Sequence, residues 1–190
     1  MTTIQNTPKL KPMTNKKTTL SIELIVAMDQ QNGIGLNGDL PWRLSNDMNY
    51  FKEKTSTTKD KKKTNAVLMG RKTFNSISNK PLKNRYNCVI SSNSIELKKK
   101  YNHNNLDFFN NIPNCINYIN SNHNKFNNLF ICGGSSIYDY FIDNELLDYI
   151  YYSKIINPKN NIGDVFFPSI KSKKFKKFKK QESILYQNKN

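Results

Sequence analysis

A chain of 190 residues with 36% apolar content suits a single globular domain with a real core and roughly twenty residues to spare at each end. The formal net charge of +16 leaves two classes open, a surface for nucleic acid or acidic lipid and a positive field that gathers small anionic ligands. No fingerprint of a nucleic-acid-binding module accompanies the Lys clusters at 59–63, 98–100 and 171–180, so nucleic acid is not expected as the primary partner; no apolar run reaches membrane-spanning length.

Residues 1–19 carry Thr, Lys and Asn but no acid and no Arg, the composition of a disordered polar and basic tail. Residues 20–28, LSIELIVAM, predict a buried strand. Next comes GIGLNGDLPWRLSNDMNYF, which contains the single Trp of the chain and leads into a helix predicted over 45–54. Leu44, Met48 and Phe51 follow a helical period that faces a core, and Asp47 falls on that same face. One reading makes Asp47 a solvent-facing first-turn acid after Ser45, favourable to the helix dipole. The other makes it a carboxylate on an apolar wall, short of solvation, with a raised pKa unless a partner offsets the loss.

Strands are predicted over 66–69, 86–91, 106–109, 129–132 and 149–155, and helices over 71–77, 113–120 and 135–141. That alternation implies a single-domain α/β fold with a mostly parallel central sheet flanked by helices. Ligands then bind beyond the carboxyl ends of the strands. Two of those ends, GRKTF after AVLM and GGSSIY after LFIC, pair a Gly turn with a helix start, a combination suited to phosphate. Thr73, Ser135 and Ser136 add hydroxyl donors there. Neither turn is a G-x-G-x-x-G fingerprint or a P-loop.

Arginine occurs only as Arg43, Arg71 and Arg85, in a chain that otherwise uses Lys for positive charge. A guanidinium fork binds carboxylate or phosphate through two parallel hydrogen bonds, which Lys cannot do. Arg71 fits a phosphate clamp and Arg85, opening a strand after KPLKN, a carboxylate clamp; surface ion pairs are the alternative for each. Cys88, Cys115 and Cys132 are odd in number, widely spaced and set among apolar residues, as expected of reduced thiols inside a cell. His103 and His123 have no partner at ligand spacing, so no metal is expected.

Together IVAMDQQNGIGLNGDLPWRLSNDMNYF, NAVLMGRKTFNSI, KPLKNRYNCVIS, LFICGGSSIYDYF and DVFFPSI, in that order, resemble dihydrofolate reductase. The resemblance implies NADPH-dependent reduction of 7,8-dihydrofolate to tetrahydrofolate, in support of one-carbon metabolism and thymidylate synthesis, in the cytoplasm. It makes Asp47 the active-site acid, backed by Ser153, where the family usually has Thr. Leu40 and Trp42 fall in the loop that closes over the reacting rings. Ala27, Met48, Phe51 and Ile77 line the folate pocket, and Arg85 takes the α-carboxylate of the glutamate tail. On the cofactor side, Arg71, Lys72, Thr73, Ser91 and Ser92 surround the adenosine, and Gly133, Gly134, Ser135, Ser136 and Ile137 hold the pyrophosphate. Tyr138 approaches the nicotinamide, with Ala27, Ile34, Gly70 and Cys132 also at the cofactor.

The domain is expected over 20–180. The family closes its sheet with a carboxyl-terminal antiparallel hairpin, of which FKKFKK could supply the first strand and ILYQ part of the turn or a rudimentary second; the last strand is expected to be absent or incomplete, and 181–190 to be a tail. Another domain could complete the sheet, since relatives exist fused to thymidylate synthase. A competing reading keeps the fold and makes the chain a basic nucleic-acid-binding protein with weak or no reductase activity.

Overall fold

A computed structural model describes residues 3–6, 10–11, 20–156, 163–169 and 176–177. The strands are β1 (Thr3–Asn6), β2 (Leu10–Lys11), β3 (Ser21–Met28), β4 (Gly33–Gly35), β5 (Thr64–Gly70), β6 (Arg85–Ile90), β7 (Leu106–Phe109), β8 (Phe126–Ile131), β9 (Tyr149–Ile156), β10 (Val165–Phe166) and β11 (Lys176–Lys177). The helices are α1 (Ser45–Ser56), α2 (Arg71–Ser76), α3 (Ser94–Lys100), α4 (Ile112–Ser121) and α5 (Ser135–Asp143).

The central sheet has seven strands in the order β1-β9-β3-β8-β5-β6-β7. Six run parallel and β1 is antiparallel to β9. Strands buried on both faces must be nearly continuous in apolar residues, and IELIVAM and NAVLM meet that demand with Leu24, Ala66, Val67 and Leu68 fully enclosed. One face packs Leu24, Val26 and Leu68 against Phe141 and Ile142 of α5 and Ile119 of α4. The other packs Ile25, Val67, Met69 and Val89 beneath Phe51 of α1, Phe74 of α2 and Leu97 of α3.

Five elements go beyond the sequence reading. Helix α3 spans SIELKKK, for which no element is predicted; its lysines crowd the last turn, where they complement the helix dipole, and Lys98 pairs with Asp107 at 2.8 Å. Strands β4 and β10 pair with each other antiparallel and are too short to show a period. Within the expected disordered tail, Thr3–Asn6 forms the outer strand of the sheet and Leu10–Lys11 pairs with Lys176–Lys177. This corrects the tail reading for those six residues: backbone pairing to a sheet edge needs no apolar pattern of its own. Of FKKFKK, Lys176 and Lys177 pair with β2; ILYQ and 181–190 lie outside the described residues.

Candidate active site

Helix α1 crosses the sheet so that Asp47, Phe51 and Thr55 form one stripe four residues apart, spanning roughly 12 Å at 1.5 Å per residue. Asp47 and Thr55 are buried, while Met48 is 52% exposed. The core-facing period expected through Met48 is thus displaced by one residue: the acid goes in and Met48 turns to the surface. Ser45 is the first helical residue and makes no capping bond, so Asp47 is not a surface acid in a capped turn.

Burial raises the Asp47 pKa above the ordinary carboxylate value; the Ser153 hydroxyl, which donates to it, and the neighbouring Trp42 indole act in the opposite direction. The indole effect is the weaker, and by geometry Trp42 Nε1 is buried without a hydrogen-bond partner among the described residues. Ser153 sits beside Ala27 in the parallel β3–β9 ladder. Trp42, Leu44 and Ile155 form a small core with Ala27 against it. Tyr50, one turn along from Asp47, has its pKa raised first by burial and then by the Asp47 charge.

At the far end of the stripe, Thr55 donates its hydroxyl to the Phe51 carbonyl at 2.6 Å and accepts from Arg85 Nη1 at 2.8 Å. Arg85 also donates through Nε to the Lys83 carbonyl at 3.0 Å and lies 5.8 Å from the Phe51 ring. The guanidinium is only 6% exposed and has no carboxylate partner among the described residues. Burial lowers its pKa, and the nearest titratable influence is the Cys132 thiol. That thiol is itself pushed up to about 12 by burial. A buried cation held by neutral groups is the arrangement expected when the balancing anion belongs to a ligand. Asn65 braces this end by donating to the Thr55 and Thr57 carbonyls at 3.0 and 2.9 Å.

A second set gathers at the carboxyl ends of β5, β6 and β8. Gly70 donates to the Gly133 carbonyl at 2.8 Å, tying the two Gly turns together. Gly133 has φ +111, which favours glycine, and a side chain there would press on the Tyr138 phenol at 3.2 Å. A cis peptide joins Gly133 to Gly134. Tyr138 is buried and donates to the Ile25 carbonyl at 2.9 Å, so its hydroxyl is engaged inside the fold. Ser135 likewise donates to the Phe166 carbonyl at 2.8 Å. Ser136 and Ser92 are exposed, Thr73 and Ser91 half-buried, and the Ser91 hydroxyl accepts from the Asn93 N–H at 3.3 Å. Arg71 lies 5.8 and 5.7 Å from the Phe74 and Tyr101 rings, with Nη1 buried and without a hydrogen-bond partner among the described residues. Lys72 is exposed beside it.

Between the two sets runs the GIGLNGDLPW loop. Asn37 and Gly38 have φ of 51° and 80°, both positive as in a type I′ turn, inside the Leu36–Asp39 bridge. Leu40 is 43% exposed at its end, Ile34 is half-buried in its first strand, and Ile77 packs against the same core cluster as Phe51 of α1. Arg43 forms an exposed ion pair with Asp39 at 3.1 Å, the surface reading for that arginine.

Two contributors escaped the sequence reading. Thr55 was reachable as Asp47 plus eight on one helical face. Asp29, 3% exposed, accepts from the Gln31 and Gly33 N–H groups at 2.8 and 2.6 Å and from Gly163 at 3.4 Å, and so holds the start of the loop. Its signal was an Asx turn, an Asp whose carboxylate caps the N–H groups two and four residues on. No cluster of three or more His, Cys, Asp or Glu suited to a metal occurs among the described residues, and no helix there is long and apolar enough to cross a membrane.

Comparison with known proteins agrees with this geometry. A family model described as dihydrofolate reductase matches residues 21–190. A dihydrofolate reductase of Drosophila melanogaster is 35% identical over 158 residues, covering 80% of this chain and 81% of the relative. One of Gallus gallus is 34% identical over 161 residues, with 82% of each chain covered. A bifunctional dihydrofolate reductase-thymidylate synthase of Daucus carota is 51% identical over 71 residues, 36% of this chain and 13% of the relative. With a family model matched over residues 21–190 and relatives above 30% identical over four fifths of both chains, the chain belongs to the dihydrofolate reductase family.

Proposed function

We propose that the chain reduces 7,8-dihydrofolate to 5,6,7,8-tetrahydrofolate with NADPH, in the cytoplasm, where the free thiols Cys88, Cys115 and Cys132 fit a reducing compartment. The carrying observation is the α1 stripe: a buried acid and, roughly 12 Å further along the helix, Thr55, which holds the buried, anion-less Arg85, with Phe51 between them. Dihydrofolate presents the paired N–H donors of its pterin ring at one end, an aromatic middle, and a glutamate carboxylate at the other, and each finds its complement. Asp47 accepts the pterin donors, which orients the ring and favours protonation of the ring nitrogen next to the carbon that is reduced. Ser153 keeps Asp47 in place and biases it toward the charged form. Arg85 takes the carboxylate through its guanidinium fork, already oriented by Thr55 and Lys83. Trp42, Leu40 and Met48 shed water from the reacting end.

The residues present fit an extended phosphorylated cofactor: the buried unpartnered Nη1 of Arg71 and the close-packed Gly133–Gly134 turn are sites that an anion completes. When bound, NADPH supplies the hydride. Arg71, with Lys72, Thr73, Ser91 and Ser92, holds the adenosine side, and Gly134 to Ile137, above Gly70 and Cys132, the pyrophosphate; Ala27 and Ile34 border the nicotinamide end, beneath which Tyr138 braces β3. Selectivity for NADPH over NADH falls mainly to Arg71 and Lys72. A thymidylate synthase partner, domain or separate chain, is the consumer of the product cycle that this reaction serves.

Loss of the NADPH absorbance band on adding dihydrofolate tests the reading directly. Absence of turnover together with salt-sensitive binding to RNA or DNA would replace it with the nucleic-acid reading. Equal efficiency with NADH and NADPH, in both the unaltered chain and Arg71→Ala, would remove the assigned selectivity.

A further inference from the structure

Strand β9 carries two parts of the site, Ser153, which hydrogen-bonds Asp47, and Ile155, fully buried under Trp42 and Leu44. On its inner side β9 pairs with β3 only as far as Met28↔Lys154. On its outer side β1 pairs with Ser153, Lys154, Ile155 and Ile156, opposite Asn6, Gln5, Ile4 and Thr3. Among the described residues, the last two positions of β9 therefore have ladder partners only in β1. Strand β2, next along the chain, is in turn paired with β11. A strand end without a partner exposes backbone donors and acceptors and frays, and a hydroxyl that must hold a carboxylate tolerates little displacement.

We propose that the amino-terminal strand Thr3–Asn6 is a positioning element of the active site, fixing the end of β9 so that Ser153 stays on Asp47 and Ile155 stays under Trp42. It touches neither substrate nor cofactor; it acts through β9. The proposal builds on the reductase reading and adds to the site a segment far from it in sequence, one whose composition reads as a tail.

The test compares the full chain with Ile4→Pro/Gln5→Pro and with Ile4→Ala/Gln5→Ala. Alternate N–H groups of an edge strand face its neighbour, so one of the two prolines removes a ladder donor. The proline chain is expected to lose about tenfold in kcat. Its acid limb should also move to higher pH, because loosening Ser153 removes an influence that lowers the Asp47 pKa. Tyr50 on α1 and Glu23, which faces it from β3, are unchanged by these substitutions. NADPH affinity should stay within about twofold and the alanine chain should match the unaltered one, a pattern that general destabilisation does not produce. Unchanged kcat and pH profile in the proline chain would overturn the proposal.

If that chain does not accumulate folded, Thr3→Cys/Ile156→Cys decides. Facing residues of an antiparallel pair lie within disulfide reach, so mild oxidation should close the bond with turnover retained. Failure to close, or loss of turnover on closing, would overturn the proposal. An inactive unaltered chain would instead count against the reductase reading, since cross-linking and NADPH binding are read without turnover.

Discussion

Asp29 and Asp47 stand at the two ends of one loop, both nearly closed off from water, and they use their oxygens in opposite ways. Asp29 spends its carboxylate on three backbone N–H groups, Gln31, Gly33 and Gly163, and in doing so sets the path of the loop. Among the described residues Asp47 takes no backbone donor; it has a hydroxyl from Ser153 and an indole nearby. The first is satisfied by the fold and is structural. The second is left under-satisfied at a cost to stability, and that deficit is the capacity to bind a ligand with donors.

The comparison breaks most readily at Asp47. Asp47→Asn should lower turnover by about 10²- to 10⁴-fold while NADPH affinity is nearly unchanged, measured by steady-state kinetics and cofactor titration. It should also raise thermal stability at neutral pH. Because the folded pKa of Asp47 is raised, the folded state holds a proton more tightly than the unfolded one. Stability is therefore lost as pH climbs from the ordinary aspartate value through the raised one, and Asn removes that loss. A melting curve of Asp47→Asn that is lower than the parent at pH 7 would contradict the assignment.

Arg85→Lys carries the same logic to the cation, with weaker dihydrofolate binding by about ten- to a hundredfold and little change for NADPH, since the bidentate fork is lost. Asp29→Ala should invert the pattern. It orphans buried N–H groups and is expected to cost about 1–3 kcal/mol in denaturant unfolding, with a smaller effect on the chemical step than Asp47→Asn. Gly133→Ala, forced to a positive φ against Tyr138, should destabilise by about 1–3 kcal/mol. The smallest effect is expected for Arg43→Ala, within about 1 kcal/mol, because its ion pair with Asp39 is exposed.

The parallel strands were legible because burial on both faces forces unbroken apolar runs, and each of the six was found within a few residues of its sequence position. Asp47 was legible for a related reason: an acid at core spacing contradicts its neighbours. Its exact neighbour was not, since Met48 and Asp47 differ by one step around the helix and only packing decides which turns in. Thr55 and Asn65 were obscure because the partners that make them matter, the Arg85 guanidinium for one and the Thr55 and Thr57 carbonyls for the other, meet them only after folding; Asp29 left only the faint local mark of an Asx turn. Strand β1 was hidden more deeply still. TIQN gains its order from the edge of β9, and no pattern within four residues records that.

The place of β8 in the sheet has a consequence for how the chain comes together. Residues 126–131 lie between β3 and β5, though both are made far earlier in synthesis. Until β8 is available, β3 has no parallel neighbour and β5 is paired only toward β6, so the halves of the site cannot dock. The molecule must close long loops before its central ladder repays them, which makes its assembly slow and dependent on a strand made long after the two it joins.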